Sequence, residues 1–235
     1  MKYQYTSEGF ENDLYNKKNQ FQLNGVNFLI LFNVIIYLLV GSNNHFIHYL
    51  FGVSSNNFEI WQLLTYMFFH GGLMHLFFNM FLLWMFGRTI ESVWGTYKFF
   101  KYYFLTGIGS GLCIYLFGQA TTIGASGAVM AVLFAYGYLY PNRMLLFYFV
   151  PMKAKYCILI LILMELSQEL LRNDNISHVG HLGGMFFGYI YLKFGSKILG
   201  DKFSFIKIKK VSKDKKTQSI SDINNVDTIL DKLKL

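Results

Sequence analysis

Charge is scarce in this chain. Asp, Glu, Lys and Arg make up 14% of its 235 residues, against about 25% in an average soluble domain. The charges that exist are clustered, which leaves long apolar stretches almost free of them. That pattern excludes an ordinary soluble globular domain and belongs to membrane spans. Cysteine is nearly absent: Cys113 and Cys157 each fall within an apolar stretch. Both read as small buried hydrophobes, which excludes a disulfide framework. The two prolines, Pro141 and Pro151, lie between apolar runs and not within them. The first twenty residues lack a basic-then-apolar secretory pattern, so the first span is expected to direct insertion. No aromatic-basic nucleic-acid motif occurs, and no internal repeat. The net charge of +8 therefore does not point to nucleic acid. From Asp201 onward nine lysines stand against five aspartates, and a basic tail beside a membrane segment suits anionic lipid.

What is present is apolar: 54% hydrophobic residues, 19% of the chain being aromatic. Six runs have the length and composition of spans, at roughly 23–41, 61–86, 99–117, 122–140, 156–170 and 177–194. The expected fold is all-α, a polytopic membrane bundle of six transmembrane helices. It divides into an N-terminal cytoplasmic segment (1–22), the six-span domain (23–195) and a basic cytoplasmic tail (196–235). With the N-terminus in the cytoplasm, 20 of the 21 Lys and Arg fall on that side and only Arg172 falls outside. The positive-inside rule selects this orientation, with both termini cytoplasmic. The outer segment 42–60 carries Phe46, Tyr49, Leu50, Phe51 and Phe58, which suits the membrane interface. In the tail, Ile223, Val226, Ile229, Leu230 and Leu233 follow Ser221 at helical spacing. A short amphipathic helix and a flexible tail are both compatible with them.

Polar side chains in lipid are costly and usually face a bundle interior or a water-filled cavity. The second run holds His70, His75 and Asn79, the last two on one helical face. The fourth opens with Gly124-Ala125-Ser126-Gly127-Ala128. The sixth carries Ser177, His178 and His181 near its start. The topology puts Ser126, His181, His75 and Asn79 at one depth, in the outer half of the bilayer. Small residues recur every four positions at Gly127, Ala131 and Ala135, and again at Gly180, Gly184 and Gly188. Such faces let two helix backbones approach closely, and packing them together would bring Ser126 near His181. A serine needs a base to become a nucleophile, and imidazole suits that task. His75 and Asn79, with the Ser126 backbone N–H, have the donors to hold an oxyanion. Each residue taken alone has a plainer reading: Ser126 and Asn79 as helix-packing groups, a histidine as an interhelical donor. His178 and His181 form an i, i+3 metal pair without an evident third ligand. Glu165 and Glu169 in the fifth run have no assigned role: a polar face toward water and the end of the span are both compatible with them.

The combined motifs resemble those of the rhomboid family of intramembrane serine proteases, over most of the chain. His70-Gly-Gly-Leu-Met-His75-Leu-Phe-Phe-Asn79 is similar to the family's second-span pattern. Gly124-Ala125-Ser126-Gly127 resembles its Gly-x-Ser-Gly motif. His181-Leu-Gly-Gly184-Met-Phe-Phe-Gly188 resembles its last-span His-x-x-Gly-x-x-x-Gly, and Gly87-Arg-Thr-Ile-Glu91 its Gly-x-x-x-Glu. The resemblance implies Ser126 as nucleophile and His181 as general base, without an acidic third member. It implies an oxyanion hole of His75, Asn79 and the Ser126 backbone, with His70 structural or water-handling. The glycine spacing selects His181 over His178. Two positions depart from the pattern: Gln62 follows Trp61 where an arginine is common, and Met130 stands four residues after Ser126, where some bacterial members have an aromatic.

The implied function is an intramembrane serine endopeptidase that cuts transmembrane protein substrates at or just inside the outer face. It would need no cofactor and no metal, and would sit in the lipid bilayer of a bacterial inner membrane. The alternative is a non-catalytic rhomboid-like protein that binds membrane clients. A third reading is a proton relay through His70, His75 and His181, against which stands the lack of a repeat.

Overall fold

The structure is a computed structural model that describes residues 24–42, 44–118, 120–147, 149–171 and 177–198. The N-terminal segment 1–22, Arg172 and the helical pattern from Ser221 onward lie outside the described residues. The described residues up to Gly195 belong to one compact unit. The helices are α1 (Gly25–Val40), α2 (His45–Phe51), α3 (Gln62–Thr65, continued by a 3-10 turn at Tyr66–Phe68) and α4 (Leu73–Trp94). They continue with α5 (Thr96–Phe117), α6 (Ser126–Leu139), α7 (Ala154–Leu171) and α8 (His178–Ile198). Between α6 and α7 a small antiparallel hairpin pairs β1 (Met144–Phe147) with β2 (Val150–Lys153).

The run 61–86, expected as one span, is broken. Trp61 to Phe68 form short helices, the chain extends at Phe69, and α4 begins only at Leu73 after Gly71-Gly72. Two adjacent glycines cost helix propensity, and Gly72, at φ 176, sits in extended backbone just before the helix. The apolar helix instead runs on to Trp94, through a π-helical turn at Leu83–Gly87. The fourth span also starts later than expected. Thr122 is in an isolated bridge with Val53, and the helix begins at Ser126.

Among the described residues α4 alone is long and apolar enough to cross a membrane by length and composition, and α1 and α6 are shorter apolar helices. Their outward faces are apolar too: Leu38 and Leu39 on α1, and Phe77, Phe78, Phe81 and Trp84 on α4 are all exposed. Helices apolar on every side bury those sides in something other than water.

The core is held by small residues and by polar groups satisfied between helices. α5 lies at its centre. Tyr66 Oη donates to Gly107 O (2.7 Å), Tyr102 Oη to Ala131 O (2.6 Å) and Ser110 Oγ to Gly180 O (2.7 Å). These bonds tie α5 to the 3-10 turn, to α6 and to α8 respectively. Glu91, buried near the end of α4, accepts from the backbone N–H groups of Gly25 (2.6 Å) and Val26 (3.0 Å) and from Thr96 Oγ1 (2.6 Å). Its carboxylate thus satisfies orphan donors at the N-terminus of α1, where the helix dipole also favours negative charge. Cys113 and Cys157 are both free thiols.

Candidate active site

Ser126 is the first residue of α6, and the chain reaches it through a pinned approach. Val53 and Thr122 exchange backbone hydrogen bonds (3.0 and 2.8 Å), and Gly124 N donates to Tyr66 O (2.8 Å). Gly124 has φ 131, a conformation that L side chains rarely adopt. A Cβ there would also stand 2.7 Å from the His75 ring. The same point is 3.8 Å from Ser126 Oγ, so His75 and Ser126 flank Gly124.

The loop carrying Val53 is itself anchored by Gln62, at the position where the related motif commonly has arginine. Gln62 is fully buried. Its Nε2 donates to Leu50 O (3.2 Å) and Tyr49 O (3.4 Å), and its Oε1 accepts from Glu59 N (3.1 Å). A neutral amide can both donate and accept, and so satisfies the end of α2 and the start of α3 together.

α8 lies against α6 through small residues. A Cβ on Gly184 would collide with the carbonyl of Gly127, and one on Gly188 would come 3.4 Å from Ala131 Cβ. Gly180 instead faces Ile114 of α5, with a Cβ there 2.8 Å from its Cδ1. Gly127 has no room for a side chain beside Ser110. Backbones this close are what small-xxx-small faces permit. The result is that His181 Nε2 stands 2.8 Å from Ser126 Oγ.

His75 and Asn79 are on one face of α4. Asn79, buried, donates from Nδ2 to His75 O (2.8 Å). Among the described residues it makes no hydrogen bond to Ser126 or His181. His70 lies in the break before α4, buried, with its ring edge-on to His75 at 5.0 Å. Among the described residues neither of its ring nitrogens has a hydrogen-bond partner. Met130 is half-buried on α6, one turn beyond Ser126.

One site residue escapes the motif reading. Glu165 of α7 is buried and reaches two histidines with a single oxygen. Oε2 is 2.6 Å from His178 Nδ1 and 2.9 Å from His181 Nδ1. Its signal in the sequence is its cost, since a carboxylate within an apolar run needs partners. Glu169, a turn later, accepts from Val179 N (3.1 Å) at the start of α8. Ligand atoms of Glu165, His178 and His181 lie within 4.8 Å of one another, a set that could also hold a metal ion.

Residues 57–198 match the Rhomboid domain. The chain belongs to the rhomboid family. This rhomboid is therefore a polytopic helical membrane protein. It is 32% identical over 138 residues to the presenilin-associated rhomboid-like protein, mitochondrial, of Bos taurus, covering 55% of this chain and 37% of that protein. It is 37% identical over 124 residues to the rhomboid-like protein 11, chloroplastic, of Arabidopsis thaliana, covering 50% and 42%. To the rhomboid protease GluP of Bacillus subtilis it is 30% identical over 151 residues, covering 63% and 30%. The chain thus spans less than half the length of these curated relatives.

Proposed function

We propose that this rhomboid is an intramembrane serine endopeptidase, with Ser126 as nucleophile and His181 as general base. The observation that carries the reading is the 2.8 Å contact between Ser126 Oγ and His181 Nε2, at the N-terminus of a helix. Ser126 Oγ attacks the scissile carbonyl carbon as its proton passes to His181 Nε2. The carbonyl oxygen becomes an oxyanion beside the Ser126 N–H, a first-turn donor with no acceptor in its own helix. The His75 ring and the Asn79 amide, once turned from the His75 carbonyl, add donors on the opposite side. Collapse breaks the C–N bond, and the departing amine takes the proton from His181. Water then attacks the acyl-serine by the same route and frees Ser126. His70 would handle that water, for buried ring nitrogens without a protein partner are groups that ordered water satisfies.

The substrates would be single-span membrane proteins with small, helix-breaking segments, entering sideways from the lipid. Six spans, cytoplasmic termini and a bacterial plasma membrane complete the reading. The charge asymmetry supports the orientation, and the likeness to GluP of Bacillus subtilis supports a bacterial protease.

The test is labelling of purified protein in detergent with a fluorophosphonate serine probe, beside Ser126→Ala and His181→Ala. Labelling of the wild type is expected to vanish in both variants, with cleavage of a model single-span substrate falling roughly 10⁴-fold or more. A folded wild type that neither labels nor cleaves would sink the proposal in favour of a client-binding role.

A further inference from the structure

The proposed pair leaves one buried charge unused. Glu165 is buried on α7, six residues before its last residue, Leu171. A buried carboxylate is costly unless it is hydrogen-bonded. Among the described residues it meets no Lys or Arg; both contacts of its Oε2 are histidine Nδ1 atoms. An ionised carboxylate only accepts, so each Nδ1 must carry a proton. That requirement fixes the tautomer of His181. With the proton on Nδ1, a neutral imidazole has its lone pair on Nε2, the nitrogen 2.8 Å from Ser126 Oγ. The serine hydroxyl can then only donate to it, which is the direction nucleophilic attack needs.

We infer that Glu165 is a positioning residue that makes the site a Ser126–His181–Glu165 relay, with His178 as a second anchor on the same carboxylate. The inference rests on the protease reading above and deepens it. Glu165 orients the His181 ring, holds its proton on Nδ1, and faces the imidazolium that forms when Nε2 takes the serine proton. His178 donates to the same oxygen at 2.6 Å and lies one turn before His181 on α8, so it locks the carboxylate in place from the His181 side. The geometry explains why two histidines occur there when only one touches Ser126.

The same three side chains have the composition of a divalent metal site. The hydrogen bonding favours the positioning role, because both Nδ1–H groups already point at Oε2. A cation held by both Nδ1 atoms would need those protons moved to Nε2, and His181 Nε2 could then no longer accept from Ser126.

The experiment uses the full chain in detergent with a model single-span substrate, comparing wild type, Glu165→Gln, Glu165→Asp and His178→Ala. In Glu165→Gln, kcat is expected to fall roughly 100-fold or more with KM within about threefold. His178→Ala is expected to lose about tenfold in kcat. Glu165→Asp keeps the charge on a shorter stem, so it should recover part of the loss. Loss of packing alone gives no reason for Asp to outperform Gln. Nitrogen-15 NMR of labelled histidine should show His181 protonated on Nδ1 in the wild type, a readout independent of activity. Unchanged kcat in Glu165→Gln beside a cleaving wild type would overturn the inference and leave the protease reading intact. Wild-type cleavage lost on chelation and restored by zinc would also overturn it.

Discussion

At the residue scale, the site depends on where side chains are missing as much as on where they are. Gly124 combines φ 131 with a His75 ring 2.7 Å from where its Cβ would be. Gly124→Ala must therefore strain the backbone and push the His75 ring away from its place in the proposed oxyanion hole. A displacement of about 1 Å at such a position is worth roughly 10²-fold in rate. The expected outcome is a folded protein whose kcat drops by that order, read from cleavage kinetics beside a thermal melt. Gln62 illustrates the opposite case, a polar side chain whose work is purely architectural. Its three hydrogen bonds hold the loop whose Val53 pairs with Thr122. Ser126 and His181 were legible as residues, because a serine among small residues and histidines in apolar runs stand out. Glu165 was visible but had no assignable partner, since α7 brings it to the histidines of α8 only in three dimensions.

At the element scale, two devices set the helices in place. One is the close approach of α6 and α8 at Gly127 and Gly184. Gly184→Leu would need the Gly127 carbonyl to move, and overpacking of this kind costs about 1–3 kcal/mol. It should lower the melting temperature, and the probe should label Ser126 poorly even well below that temperature, because the helices that carry Ser126 and His181 are pried apart. The other is the Glu91 carboxylate, which takes the first two N–H groups of α1. Removing it in Glu91→Ala leaves buried donors unsatisfied, each at about 1–3 kcal/mol. Here the melting temperature should fall while the Ser126–His181 pair still labels in the fraction that stays folded. The two variants thus separate a packing fault at the site from a stability fault away from it. The helix ends were the least legible feature. The run 61–86 is apolar throughout, so hydropathy alone continues it across Gly71-Gly72, where the backbone breaks.

At the scale of the whole molecule, the proposed topology has a direct check. With both termini cytoplasmic, a protease-cleavable tag after Leu235 in right-side-out bacterial vesicles should resist added protease until the membrane is opened. Immediate digestion would reverse the orientation and move Ser126 to the inner half of the bilayer. The exposed apolar faces of α1 and α4 give a second expectation. Without detergent or lipid the purified chain should aggregate, because those faces have no other solvent.

The class of the molecule was legible in the residues alone: scarce and clustered charge points to a helical membrane bundle, and the proposed order of spans would put the polar residues at one depth. The sequence also determined which residue types could do chemistry, because polar groups in lipid are too costly to be incidental. Which of those residues meet is a matter of packing between helices. The 2.8 Å contact of His181 with Ser126 depends on small residues from two distant helices touching, and the sharing of Glu165 by His178 and His181 depends on α7 lying beside α8. Those contacts join residues 55, 13 and 16 positions apart. Periodicity within one helix reports which face a residue is on and carries no information about the neighbour that face will find.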